Sequence, residues 1–146
     1  MRTSFLAFAL TAGWVGAAGC AVADERPVFE KLEWWGPCPA EAVCRQTTTL
    51  FASGLLTIEG KDRQAWQLGQ PAAARIIERL RASGAMEQPC TAEPRMDSWA
   101  QYTLRLDQKE RVIQFPGCEQ ELRAIDELIA QAAKDTAPRL PVPATH

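Results

Sequence analysis

The N-terminus decides where this chain folds. Arg2 is followed by an apolar run from Phe5 through Ala18 with no charged residue in it, and the first acids come only at Asp24 and Glu25. A basic start, a short apolar centre and small residues after it make a secretory signal. The run is too short for a comfortable membrane span and lacks far-side flanking charges that would stop transfer. Residues 1–19 are therefore expected to be a leader, and the rest to fold in an oxidising compartment.

Two cuts compete. Ala21-Val22-Ala23 has the small-x-small pattern of an ordinary signal-peptidase site. Ala17-Ala18-Gly19-Cys20 resembles a bacterial lipobox, in which the cysteine is lipidated and becomes the first residue; Ala17 stands where the usual lipobox has Leu. A cut after Ala23 leaves an unusually long stretch behind the apolar core, which favours Cys20. Ala21 rather than Asp follows that cysteine, and by resemblance to bacterial lipoproteins this points to the outer membrane. The expectation is a lipoprotein on the periplasmic side of that membrane, or a soluble periplasmic or secreted protein if the cut follows Ala23.

The five cysteines are Cys20, Cys38, Cys44, Cys90 and Cys118. Either cut removes Cys20 from the thiol pool and leaves an even number, as an oxidising compartment requires. Of the pairings open to four cysteines, Cys38–Cys44 and Cys90–Cys118 are the expected ones. The second would tie the loop after the first helix to the start of the second. Five residues separate Cys38 from Cys44, with Pro39 among them. Thiol oxidoreductases use a two-residue spacing that sets one thiol at a helix N-terminus, so a structural bond is the better reading.

Beyond a polar linker, residues 20–27, the patterning is that of one domain over 28–135. Val28–Trp35 reads as a strand that Gly36-Pro37-Cys38-Pro39 breaks. Gln46–Ala52, rich in Thr, Leu and Phe, turns at Ser53-Gly54 and returns as Leu55–Glu59. Ala65–Leu68 is a further short candidate. Ala73, Ile76, Ile77 and Leu80 recur at helical spacing between Pro71, placed for a first turn, and Gly84, placed as a stop. On that helix Glu78 is spaced to pair with Arg75 and Arg81, giving a self-neutralised wet face. Tyr102, Leu104 and Leu106 alternate with polar residues as in a half-buried strand, and Arg111–Phe115 returns after a turn at Asp107–Glu110. A second helix runs from near Glu119 to about Lys134, with Leu122, Ile125, Leu128, Ile129 and Ala132 as its apolar stripe. Residues 136–146 are read as a disordered tail. The fold class is α+β: an antiparallel sheet of about five strands with two helices on one face, in the order β-β-β-α-β-β-α, stabilised by disulfides.

The stretch from Trp34-Trp35-Gly36-Pro37-Cys38-Pro39 through the Thr49–Gly60 hairpin resembles a family of exported bacterial domains of unknown function. In that family a Cys-x-Gly-x-Cys-Pro-x-Tyr motif leads into a hairpin ending in aromatic-Glu-Gly. A helix, a second hairpin and a final helix with an Ile-Asp pair follow, and Ile125-Asp126 stands in the last helix here. Trp34 replaces the motif's first Cys and Glu41 its Tyr, so the motif's own disulfide cannot form. The resemblance spans about residues 28–130 and implies fold and export, with no activity attached.

Residue chemistry excludes much else. The only histidine is His146, the last residue. Ser-His-acid and Cys-His machinery therefore has no base. Zinc clusters and spaced-carboxylate Ca²⁺ loops are not evident, and neither is a glycine-rich phosphate loop. No metal or cofactor is expected. The net charge is −2 with no basic run, so nucleic acid is not an expected partner. The carboxylate pairs Glu33 with Glu41 and Glu93 with Asp97 read as surface charge.

Trp34 and Trp35 stand out. Adjacent strand residues point to opposite faces, so one indole can enter the core while the other must be covered or exposed. With Pro37 and Pro39 they mark the expected partner-binding segment. The leading expectation is a non-catalytic accessory or protein-binding domain, membrane-held through Cys20 and engaging an envelope protein. A small-ligand module would show a sizeable apolar pocket. A carboxylate-only hydrolase would show a cleft with two close acids, one of raised pKa.

Overall fold

Side-chain alternation decides which side of each strand is covered, and it does so along six strands. The computed structural model describes residues 25–36, 44–90, 98–114 and 117–137. Residues 1–24 with Cys20, the segment holding Pro37, Cys38 and Pro39, and residues 138–146 lie outside these residues, along with the expectations placed on them. Strands β1 (Pro27–Trp35), β2 (Arg45–Phe51), β3 (Leu55–Glu59) and β4 (Arg63–Gln67) precede helix α1 (Gln70–Ala82). Strands β5 (Ser98–Leu106) and β6 (Lys109–Gln114) precede helix α2 (Glu119–Lys134). All neighbours are antiparallel, in the order β4-β3-β2-β1-β5-β6.

The α+β class is as expected, with a correction to the count. The sheet has six strands rather than about five, and four of them precede α1. Strand β4 is faint in the sequence because its two buried residues, Ala65 and Trp66, are adjacent and so point to opposite faces. What makes it a strand is its full ladder with β3, from Leu55 opposite Gln67 to Glu59 opposite Arg63.

Register places Phe29, Leu50, Leu56, Trp66, Leu104 and Ile113 on one face. There they meet Ile76 and Leu80 of α1 and Leu122, Ile125 and Ile129 of α2 in a single apolar cluster. Each such side chain contributes about 1.5–3 kcal/mol when fully buried. Both helices thus cover the same side. Leu128, read from the sequence as part of the α2 stripe, is exposed. It lies about 100° around the helix from Ile129, off the buried face. The opposite sheet face carries Leu32, Trp34, Thr47, Thr49, Thr57 and Val112, and no described helix contributes to it. Among the described residues no helix is long and apolar enough to cross a membrane.

Three local features fix the connections. Gly54 turns β2 into β3 at φ +84, and a Cβ there would lie 2.9 Å from the Leu68 carbonyl oxygen. Asp107 and Gln108 both take positive φ, giving the two-residue turn whose twist suits a hairpin. Cys90 and Cys118 are bonded across 28 residues, joining the segment after α1 to the start of α2 as the sequence implies. Gly117 is needed beside this bond, since a Cβ would come within 2.8 Å of the Cys90 carbonyl oxygen. Cys44 is also disulfide-bonded.

Candidate functional site

The inward positions of β1 change character along the strand. Phe29 is fully buried, and after it the same face presents Lys31, Glu33 and Trp35. Opposite them on β5 stand Leu104, Tyr102, Ala100 and Ser98. Asp126 of α2 lies four residues after Leu122 and three before Ile129, so the helix aims it at this end of the core. A polar cluster therefore forms where the apolar cluster stops.

Lys31 is its centre. Its Nζ donates to Asp126 Oδ2 at 2.7 Å and lies 2.7 Å from Glu33 Oε1. The Tyr102 hydroxyl donates to the same Asp126 Oδ2 at 2.9 Å, and Lys31 Nζ sits 5.4 Å from the Tyr102 ring centre. Lys31 keeps 14% of its side-chain exposure and Asp126 25%. Burial alone would lower the Lys31 pKa, but its bonds to Asp126 and Glu33 outweigh that and hold it above the ordinary lysine value. Burial raises Asp126 above the usual carboxylate range, against the pull of Lys31 and Tyr102. Burial, with the Asp126 charge second, drives the Tyr102 phenol far up. Burial is thus the main cause at Asp126 and Tyr102, while at Lys31 the two carboxylates outweigh it.

Tryptophans flank this cluster. The polar groups, Arg123, Ala100 and Trp35 line a cleft of about 290 Å³, which Trp34 and Trp99, on the opposite sheet face by register, also border. Trp34 stands opposite Trp99 across the β1–β5 ladder. The Trp34 ring folds toward Gly36, where a Cβ would meet it at 3.0 Å. Trp35 is 43% exposed and Trp99 36%. A second depression of about 350 Å³ on the uncovered sheet face shares Trp34 and Trp99 and adds Leu32 and Arg45.

Trp34 and Trp35 are thus brought together with Trp99, a residue the sequence reading did not single out, while Pro37 and Pro39 lie outside the described residues. The expectation that one of the two adjacent indoles enters the core is corrected: neither is buried. Trp35 is on the covered face but at the last rung of the ladder, opposite Ser98 and past Lys31 and Glu33. The buried indole is Trp66, at 8% exposure.

Lys31, Tyr102 and Asp126 were not read as a group, although a signal exists. Each is a polar or ionisable residue at an inward position of its element. Glu41, the acid the sequence sets beside Glu33, lies outside the described residues, as do Glu93 and Asp97. The neighbour of Glu33 is Asp126, reached through Lys31. Two close acids, one with a raised pKa, match what a carboxylate-only hydrolase needs. Lys31 Nζ, however, contacts both, and so occupies the space between them that a reacting bond would take. No cluster suited to a metal ion occurs among the described residues. On α1, Arg81 pairs with Glu78 at 2.5 Å and with Asp107 at 3.3 Å, while Arg75 turns to the Pro71 carbonyl. No family model, curated protein or solved structure matches this chain.

Proposed function

We propose that this is an exported, lipid-anchored binding domain without catalytic activity, which engages an envelope protein through the tryptophan-flanked cleft at the Trp35 end of β1. The observation that carries this reading is the gathering of three of the chain's five tryptophans around one cleft. Exposed indoles are costly to leave in water and are the side chains most often found carrying interface energy. These three sit on the adjacent interior strands β1 and β5, so little ordering entropy is lost on binding. Among the described residues the other exposed large apolar ones, Val112 and Leu128, are outside the cleft. The disulfides suit an oxidising compartment, and a lipid on Cys20 would hold the cleft near the membrane.

The test uses the full chain, tagged at its C-terminus and expressed in an envelope. Partner recovery should fall with Trp35→Ala or Trp99→Ala and persist with Val112→Ala, with melting temperatures close to the parent's. Undiminished recovery with both tryptophan variants would remove the reading. A second reading, a carboxylate-only glycan hydrolase, is favoured by the Glu33–Lys31–Asp126 arrangement alone. It requires sugar-releasing activity that Asp126→Asn abolishes.

A further inference from the structure

We propose that the depression on the uncovered sheet face is a binding site for a small apolar carboxylate, in which Arg45 holds the carboxylate and Leu32, Trp34 and Trp99 take the apolar body. It is a second site, on the other side of the sheet from Lys31, Glu33 and Trp35.

Register builds the site. Trp34 stands opposite Arg45 on β2 and opposite Trp99 on β5, so the three form one row across adjacent strands. Neighbouring strands lie about 4.8 Å apart, and the row therefore spans about 10 Å. Leu32, one row along on the same face, lies between Thr47 and Gln101 and supplies an apolar floor. The depression has a volume of about 350 Å³, within the range of small-molecule sites. Among the described residues the two indoles make no ring pair with each other, so their faces remain available to a ligand.

Arg45 selects the sign of the ligand. Among the described residues it is the only ionisable group lining the depression, and its guanidinium has no ion pair, no hydrogen bond and no ring beneath it. The acids on this face do not answer it. Glu59 is taken by Arg63 at 2.9 Å and Glu110 by Arg105 at 2.6 Å. Glu30 lies four residues along β1 from Trp34, roughly 13 Å away. The unpaired guanidinium repels a cation, and a dianion would need a second cation that the lining lacks. One guanidinium presents two parallel N–H donors, which match a carboxylate. The rest of the lining is apolar, and a flat apolar body beside the charged group covers the indoles and Leu32 at once.

Arg45 and Leu32 do not line the cleft proposed for the protein partner, so this site holds or fails independently of that reading. The test titrates the isotope-labelled mature chain with naphthoate and with naphthamide, its neutral isostere, and follows the indole N–H signals by NMR. The Trp34 and Trp99 signals, identified by their loss in Trp34→Phe and Trp99→Phe, should shift saturably, while that of the buried Trp66 stays in place. Naphthoate should bind about tenfold more tightly than naphthamide. Arg45→Gln should weaken naphthoate about tenfold and leave naphthamide within about twofold, and the retained naphthamide binding shows that this variant is folded. Acetate, which has the charge without the apolar body, should not saturate where naphthoate does. Equal affinities of naphthoate and naphthamide for the parent, equal weakening of both by Arg45→Gln, saturation by acetate in the same range, or no saturable shift at Trp34 and Trp99 overturns the proposal. If Trp35→Ala still loses the protein partner in that case, the binding-domain reading stands. If naphthoate binds as expected while partner recovery is unchanged in the tryptophan variants, the protein-partner reading fails and the carboxylate site remains.

Discussion

Replacing Lys31 with Met removes the one cation between Glu33 and Asp126. Asp126 then keeps only the Tyr102 hydroxyl as a partner, at 2.9 Å, and faces Glu33 unshielded. Breaking one side of a fully buried pair costs about 3–5 kcal/mol. Here Asp126 retains a quarter of its exposure and one hydrogen bond, so about 2–3 kcal/mol is expected near neutral pH. For a domain of this size that lowers the melting temperature by roughly 10 °C. Asp126→Asn is the contrasting change. It leaves Lys31 paired with Glu33 and an amide oxygen for Tyr102, and should cost only about 1 kcal/mol. The two variants also differ in pH dependence. The folded-state pKa of Asp126 is raised, so its favourable contribution is present below its ordinary value of 3.8 and is lost as pH rises through the folded value. Without Lys31, burial and Glu33 act unopposed by the ammonium and the folded value moves higher still. The deficit of Lys31→Met should therefore shrink as pH falls from neutral through that raised value, where Asp126 takes up a proton. Urea unfolding followed by circular dichroism at several pH values measures this. Equal losses for the two variants at neutral pH, or a deficit that does not change with pH, would refute the reasoning.

Tyr102 is the chain's only tyrosine, so the ultraviolet band of tyrosinate reports on it alone. Its pKa is raised above 10.0, so its contribution to stability is present below about 10 and is lost at higher pH, and tyrosinate should appear only as the fold is lost. A midpoint near 10 with unchanged circular dichroism would contradict this. Removing the Cys90–Cys118 bond by changing both residues to Ala should destabilise the domain by roughly 3–4 kcal/mol, from a spacing of 28 residues. A loss below about 1 kcal/mol on denaturant unfolding would count against it. Trp66→Ala, at a buried position, should cost about 3–5 kcal/mol, whereas Trp35→Ala should stay within about 1 kcal/mol. Similar melting shifts for the two would show that Trp35 is a core residue after all.

Local patterning determined much of this protein. Periodicity placed both helices and most of the strands, because alternation and the helical repeat record burial directly in the order of residues. Cys90–Cys118 was the expected pairing among the three open to four cysteines, and the fold is what brings the two together. Strand β4 showed only as the short candidate Ala65–Leu68, and its bounds come from its ladder with β3. The candidate site was half legible. Trp34 and Trp35 announce themselves as a pair of large aromatics beside a proline-rich break. Trp99 does not, because it is their neighbour only through the β1–β5 register, sixty-odd residues away along the chain. Lys31, Tyr102 and Asp126 come from three separate elements, and each alone reads as an ordinary polar residue. Residue order carries what each segment buries, which is a property of neighbours along the chain. Whether an ammonium lies between two carboxylates, and which indoles share one cleft, depends on strand register and on how α2 crosses the sheet, and those are set only when the core packs.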